Sequence, residues 1–258
     1  MDLSFWSYNI ENIENFPEHI YDEKNTILAN SVIASNYQLI NKIKSHQNIL
    51  EIGCGKYSWL KDNLKNEAMW KGIDINKSIK DNIATEFGSV HSMPYEDCFF
   101  DFIISNQSIE HWSEYGVSIE EGLSEIYRCL KENGEAYVNF PIFLHGHPDF
   151  VKGNIDKIRK NFEKFFHIEN FVAYNSIRTD NYLGWRRCGF PDWYIPKHGL
   201  TSFVVNAVLK KKINIKISKN KKRNKFPERK SIILIHLRHG LIFFIWKIYN
   251  FLKKKISN

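Results

Sequence analysis

Cysteine is scarce in this chain. Four residues, Cys54, Cys98, Cys129 and Cys188, are spread over 258 positions with no C-x-x-C pair. That argues against a disulfide framework and against a cysteine-based zinc site, and it fits a reducing, cytoplasmic compartment. No secretion leader is expected, because Met1-Asp2-Leu3-Ser4-Phe5-Trp6 has neither a basic n-region nor an apolar h-region. No internal repeat is visible. Disorder throughout is excluded, because aromatics make up 15% of the residues and Ile, Leu, Val and Phe recur in every segment before residue 210. The length suits one globular domain with extensions.

The formal net charge of +7 hides an asymmetry. Residues 210–258 hold 16 Lys+Arg and one acid, Glu228, a net of +15. The first 209 residues hold 20 bases and 28 acids, a net of −8. An acidic body with a basic tail points to polyanion or membrane contact by the tail and not by the body.

Periodicity gives the elements. Helical spacing runs through Asn25–Lys44, with Ile27, Leu28, Val32, Ile33, Tyr37, Ile40 and Ile43 on one side. Asn48–Ile52 is a short β-rich run that ends at Gly53-Cys54-Gly55, and a helix follows through Trp59, Leu60 and Leu64. Strands are expected at Met69–Ile75, Phe87–Val90, Phe100–Ser105, Ala136–Ile142, Ile168–Tyr174 and Ser202–Leu209. Helices are expected at Ser118–Glu132, ended by Asn133-Gly134, and at Gly153–Phe166. Asn175–Gly199 reads as a long aromatic loop without helical period, too aromatic for disorder. Strands alternating with helices imply a mostly parallel sheet covered on both faces.

A strand, a Gly-x-Gly turn and a helix make a ligand cradle, because glycine permits close backbone approach and the helix start offers unpaired N–H groups. Asp74 closes the next strand, 21 residues after Gly53, where a carboxylate can bridge two ribose hydroxyls. On these features alone, a generic βα turn stays open as the alternative. A nicotinamide-type fold would want a third glycine at position 58, which is Ser58.

Four stretches, NILEIGCG (48–55), GIDI (72–75), GSVHSMPYEDCFFDFIISNQSIEHW (88–112) and EIYRCLKENGEAYVNFP (125–141), occur in order. In these the chain resembles the class I S-adenosylmethionine-dependent methyltransferases of the type 11 group. The resemblance implies an α/β, Rossmann-like sheet of seven strands ordered 3-2-1-4-5-7-6, the last antiparallel. It implies S-adenosylmethionine as cofactor. Glu51, Gly53, Cys54 and Gly55 would surround its methionine part. Asp74 would hold the ribose and Ile75 the adenine. Ser89, Val90 and His91 would run along the adenine edge, and Asn106 and Gln107 would face the methionine end and the transferred methyl. Two positions depart from the family pattern: Tyr57 stands where a third glycine is common, and Ser89 where an acid often holds the adenine amine. Tyr57 is read instead as a ring over the substrate.

An in-line displacement from a sulfonium needs positioning above all. A sugar hydroxyl acceptor also calls for a base, whereas a phosphate-type oxygen calls for a cationic grip. The base candidates are Glu110 and His111 after the fourth strand and His145 after the fifth, with His147 and Asp149 beside it. Capping is the plain alternative for Glu110-His111. No metal is expected, since His145-Gly146-His147 lacks both cysteine and helical i, i+4 spacing. His147, Trp185, Arg186, Arg187 and Trp193 are candidate substrate contacts, Arg with aromatics suiting an anionic, sugar-bearing ligand. A packed loop with a solvated Arg pair is the alternative.

Nucleic acid is not the expected acceptor. Position 105–108 reads Ser-Asn-Gln-Ser, not the Asn/Asp-Pro-Pro-Tyr/Phe of base amino methylation, and no cysteine nucleophile stands near that strand. The body is acidic as well. In 231–252 a helical projection leaves a narrow polar stripe of His236, His239, Gly240, Lys247 and Asn250. Arg238 lies opposite it, which argues against a full span and for a helix lying on an anionic membrane surface. A partner or homodimer helix, a nucleic-acid arm and packing on the chain's own domain remain alternatives.

The organisation read from the sequence is a helical cap (1–46), a cofactor-binding domain (47–209), a basic linker (210–230) and an amphipathic basic helix (231–258). The overall pattern is also similar to small methyltransferases of capsule and lipopolysaccharide synthesis, and that resemblance implies O-methylation of a sugar or phosphorus-containing, for example phosphoramidate, precursor of bacterial capsule or lipopolysaccharide. It would act in the cytoplasm, peripheral to the membrane. An RNA or tRNA methyltransferase and a degenerate cofactor-fold adaptor are the other readings.

Overall fold

The computed structural model describes residues 27–64, 67–142, 146–151, 154–179, 182–187, 203–213 and 215. The expectations for residues 1–26, His145, Trp193 and 216–258 lie outside them. The described part is one sheet with helices on both faces. Its strands are β1 (Asn48–Ile52), β2 (Met69–Asp74), β3 (Glu86–Phe87), β4 (Phe100–Asn106), β5 (Leu130–Ile142), β6 (Phe166–Thr179), β7 (Tyr182–Arg187) and β8 (Phe203–Lys211). Their spatial order is β3-β2-β1-β4-β5-β8-β6-β7. The β2–β3, β1–β2, β1–β4 and β4–β5 pairs are parallel, and β8 runs antiparallel to both β5 and β6. Without β7 this is the expected order 3-2-1-4-5-7-6, with the last strand reversed.

Alternation along each strand divides the core in two. On one face Leu50, Ile52, Ile103, Val138 and Phe140 pack under α3 (Ile119–Cys129) and α4 (Ile155–Glu163). On the other, Ile49, Phe102, Ile104, Tyr137 and Val208 meet Leu39 of α1 (Ile27–Ile40), Ile43 just after it, and Leu60 of α2 (Trp59–Asn63). Burial on both faces explains why FIIS in β4 is a continuous apolar run and not an alternating one. The start of α3 is set by a capping box: the Glu121 amide donates to Ser118 Oγ at 3.2 Å, and the Ser118 amide donates to Glu121 Oε2 at 2.9 Å.

Several boundaries differ from expectation: β3 is only Glu86–Phe87 and not Phe87–Val90, and two larger differences have a visible cause. The third helix stops at Cys129 and not at Glu132, and Asn133-Gly134 sits inside β5. The Cys98 and Phe99 amides take the carbonyls of Arg128 and Cys129 at 2.8 and 2.9 Å, pulling the chain into the sheet early. Gly134 is needed there because a Cβ would lie 2.8 Å from the Asp101 carbonyl oxygen. The segment read as a loop from Asn175 is instead a hairpin in its first part. Strand β6 continues to Thr179 and β7 returns antiparallel, with Thr179 opposite Tyr182 and Tyr174 opposite Arg187. Only Asp180-Asn181 separates two β-prone runs, a hairpin signal that the aromatic content masked.

Candidate functional site

The turn after β1 is built for close approach. Gly53 has φ +73°, its amide donates to the Ile73 carbonyl at 2.8 Å, and a Cβ would sit 2.7 Å from Ser108 Cβ. Gly55 has φ +58° with open space where a Cβ would be. Its amide donates to Asp74 Oδ2 at 2.9 Å, while the Asn76 amide donates to Asp74 Oδ1 at 2.7 Å. Two backbone donors thus hold this 7% exposed carboxylate at the carboxyl end of β2. Each oxygen keeps lone-pair capacity for a further donor.

Gly53, Asp74 and Asn76 of this group border an open cavity of about 230 Å³. Gly53, Asp74, Ile75, Ser89, Val90 and Gln107 line it, all six named by the sequence. Among the described residues, no lysine or arginine does. The sequence reading missed Ser108, Trp112, Glu114, Tyr115 and Val117 on the far wall, and Asn76 and Ile79 below Asp74. Most of that wall is the 3-10 helix Ile109–Tyr115, ended by Gly116 at φ 73°. Residues three apart eclipse each other there, which brings His111 and Glu114 together. The i, i+3 spacing was the signal that could have found Glu114.

His111 is the most chemically suggestive group of the wall. Its Nδ1 lies 2.6 Å from Glu114 Oε1, and its Nε2 lies 3.9 Å from Glu110 Oε1. With Glu114 ionised, Nδ1 carries the proton and donates it. Glu110 is fully buried and outside the cavity lining, and its carbonyl accepts from the His147 amide at 2.7 Å. That contact fixes the segment after β5, where Gly146 has φ +90° and a Cβ would fall 2.5 Å from the same carbonyl oxygen. His147 Nδ1 accepts from the Asp149 amide at 3.2 Å. Burial pulls the His147 pKa below its usual range, with Asp149 opposing and Lys157 adding to the shift.

The remaining residues sort by place. Glu51 is buried on the α1 and α2 face, accepting from Ser58 Oγ, from Trp70 Nε1 at 3.1 Å and from Asn106 Nδ2 at 3.4 Å. Burial pushes its pKa up against those three donors. Cys54 is buried too, its thiol pushed up to about 12 chiefly by desolvation, so it is no nucleophile. Ser89 Oγ pairs with His91 Nδ1 at 2.8 Å, both buried. The Gln107 amide donates to the Asn139 carbonyl at 2.7 Å, in a backbone with φ 48°. Tyr57 is 63% exposed and does not line the cavity. Trp185, Arg186 and Arg187 lie in β7, opposite Ser176, Asn175 and Tyr174. Among the described residues no group of His, Cys, Asp and Glu is arranged to hold a metal.

A carboxylate with free lone-pair capacity, a glycine turn open to solvent and an apolar slot beside Ile75 and Val90 suit a nucleoside ligand. Comparison with known proteins agrees. Residues 50–138 match the family model "Methyltransferase domain". A curated relative, the uncharacterized protein YafE of Escherichia coli (strain K12), is 37% identical over 94 residues. That match spans 36% of this chain and 41% of the relative, less than half of either. A putative methyltransferase from Bacillus halodurans is 12% identical, with a TM-score of 0.47 over 69% of this chain and 98% of that one. A phosphoethanolamine N-methyltransferase of Haemonchus contortus, solved with S-adenosyl-L-methionine, is 16% identical, with a TM-score of 0.45 over 69% of this chain and 53% of that one. Residues 50–138 thus match a methyltransferase domain.

Proposed function

We propose that the whole chain is a methyltransferase acting on an oxygen of a sugar or phosphorus-containing precursor of bacterial surface polysaccharide. The observation that carries an oxygen acceptor is the His111–Glu114 pair on the cavity wall, 2.6 Å apart. An acceptor hydroxyl must lose its proton as it is methylated, and a histidine backed by a carboxylate is suited to take it. S-adenosylmethionine, when bound, supplies a methyl group on a cationic sulfur that leaves readily. Asp74 would hold the ribose hydroxyls, and the amides of the Gly53–Gly55 turn would sit against the chain beyond. Trp112 and Val117 would shield the slot from water.

In this scheme the acceptor O–H proton passes to His111 as the new C–O bond forms. Glu114 keeps the imidazole in one tautomer and stabilises the charge that develops on it. A phosphorus-linked acceptor would draw instead on Arg186 and Arg187, whose strand borders the sheet edge. The assignment to surface polysaccharide rests on the resemblance to small methyltransferases of capsule and lipopolysaccharide synthesis. Residues 231–258 would hold the enzyme at an anionic membrane surface. Among the described residues no helix is long and apolar enough to cross a membrane.

The test is transfer of labelled methyl to nucleotide-sugars, phosphoramidates, lipid-linked glycan and RNA. Label on a sugar or phosphorus oxygen supports the proposal, and label on RNA alone overturns it. Flotation of full-length and 1–209 protein with anionic liposomes tests the tail. If both stay in the soluble fraction, the membrane role fails.

A further inference from the structure

Away from the ligand cavity, Cys98 stands just before β4, and among the described residues it is the only exposed cysteine. Its backbone is pinned to the sheet. The Cys98 and Phe99 amides donate to the carbonyls of Arg128 and Cys129, and the neighbouring Asp97 pairs with Arg128 at 2.6 Å. The Cys98 φ of 54° lies in the left-handed region, which a non-glycine residue adopts where its surroundings impose it.

Lys211, the last residue of β8, reaches this thiol from a distant part of the chain. Its Nζ lies 3.3 Å from Cys98 Sγ, across a sequence separation of 113. The same ammonium donates to the Leu130 carbonyl at 2.6 Å and lies 4.6 Å from the centre of the Tyr127 ring. An open-surface lysine keeps its rotamer freedom, whereas this half-buried one is held by a carbonyl and a ring. Both atoms of the short sulfur–nitrogen contact are therefore fixed from behind by the fold. The other described cysteines, Cys54 and Cys129, are buried, so the lysine nitrogen is the nucleophile standing beside the exposed sulfur.

We propose that Cys98 and Lys211 are an oxidant-sensitive pair that closes a covalent sulfur–nitrogen bond when the thiol meets hydrogen peroxide. In the first step the sulfur attacks one peroxide oxygen. The thiol becomes a sulfenic acid and one water leaves, so sulfur loses the two electrons that the peroxide gains. In the second step Lys211, having released one proton to solvent, attacks the sulfenic sulfur with its amine lone pair. The S–N bond forms as the S–O bond breaks, and the hydroxide leaves as water with a proton from the amine. No second oxidant is consumed. A small thiol reverses the link by attacking the sulfur and returning the amine to Lys211, and a second thiol then frees Cys98 from the mixed disulfide. The link ties the end of β8 to the segment entering β4, and it does not depend on what the cavity binds.

The test treats the full-length protein with hydrogen peroxide, digests it and reads the peptides by mass spectrometry. The expected product joins the Cys98 and Lys211 peptides, is lighter by two hydrogens than their sum, and disappears with dithiothreitol. Its formation should raise the melting temperature by several degrees, because a cross-link over so long a loop constrains the unfolded chain. Lys211→Arg keeps a cation beside the Leu130 carbonyl but offers no amine, so its Cys98 should pass on to sulfinic acid unlinked, with no rise in melting temperature. Should that variant not fold, Cys98→Ser at the exposed position supplies the same comparison and controls for oxidation elsewhere. Wild type oxidised in urea should form no link, since the fold holds the two atoms together. The inference is overturned if wild-type Cys98 ends as sulfinic acid without a link. It is equally overturned if the thiol survives peroxide that oxidises the methionines, or if the link forms as readily in urea.

Discussion

Asp74→Asn changes one atom and should cost the chain most of its affinity for a nucleoside cofactor. In the wild type the Gly55 amide donates to Oδ2 at 2.9 Å and the Asn76 amide to Oδ1 at 2.7 Å. An asparagine can accept only one of them. Its NH2 would face the other amide, leaving a buried donor unsatisfied at a cost of about 1–3 kcal/mol. The negative charge that strengthens any hydroxyl donor to this side chain is also lost, for hydrogen bonds worth about 1.5–3 kcal/mol each. Taking about 3 kcal/mol in all, the dissociation constant of S-adenosylhomocysteine should rise by roughly 150-fold. The melting temperature of the ligand-free protein should fall by a few degrees. Calorimetry and a thermal melt measure the two effects separately. A dissociation constant within threefold of wild type would refute the reasoning, because Asp74 would then be only a strand-end clamp.

Three further outcomes follow from the geometry. Gly146→Ala forces a Cβ to within 2.5 Å of the Glu110 carbonyl at a positive φ, so urea unfolding should show a loss of about 1–3 kcal/mol. Glu114→Gln keeps the shape of the His111 pair but removes its charge. In a transfer assay with a hydroxyl acceptor, kcat should fall by about 10²-fold or more with KM little changed, whereas a merely structural Glu114 would change stability and leave the ratio intact. His147 has a depressed pKa in the folded state, so its neutral form favours folding above the unfolded value of about 6.5. That contribution is lost as pH falls through the folded value. Between pH 7.5 and 5.5 the wild type should lose melting temperature faster than His147→Gln, and parallel curves would contradict the assignment.

The parts of this molecule that were legible in the sequence are those whose cause is local. FDFIIS reads as a central strand because both its faces are buried, and Gly53-Cys54-Gly55 reads as a turn because the backbone there needs positive φ at both glycines. Asp74 was found by its distance from that turn. The pairing of His111 with Glu114 depends on a 3-10 winding that apolar periodicity does not announce. Cys98 lies 113 residues from Lys211 and carries no motif, and only the antiparallel return of β8 along β5 brings the two together. Strand β7 was hidden for a different reason: its aromatic and basic residues suggested a substrate-contacting loop, and hairpin pairing of the backbone is indifferent to that chemistry.

The reversed direction of β8 has a consequence for how the protein can be tethered. The ligand cavity opens at the carboxyl ends of β1, β2 and β4, but β8 starts at that end and finishes beside Glu135, near the amino end of the paired stretch of β5. Nine residues of strand therefore carry the polypeptide about 30 Å away before the basic segment begins. An attachment made directly at Lys211 therefore sits at the end of the sheet opposite the cavity mouth.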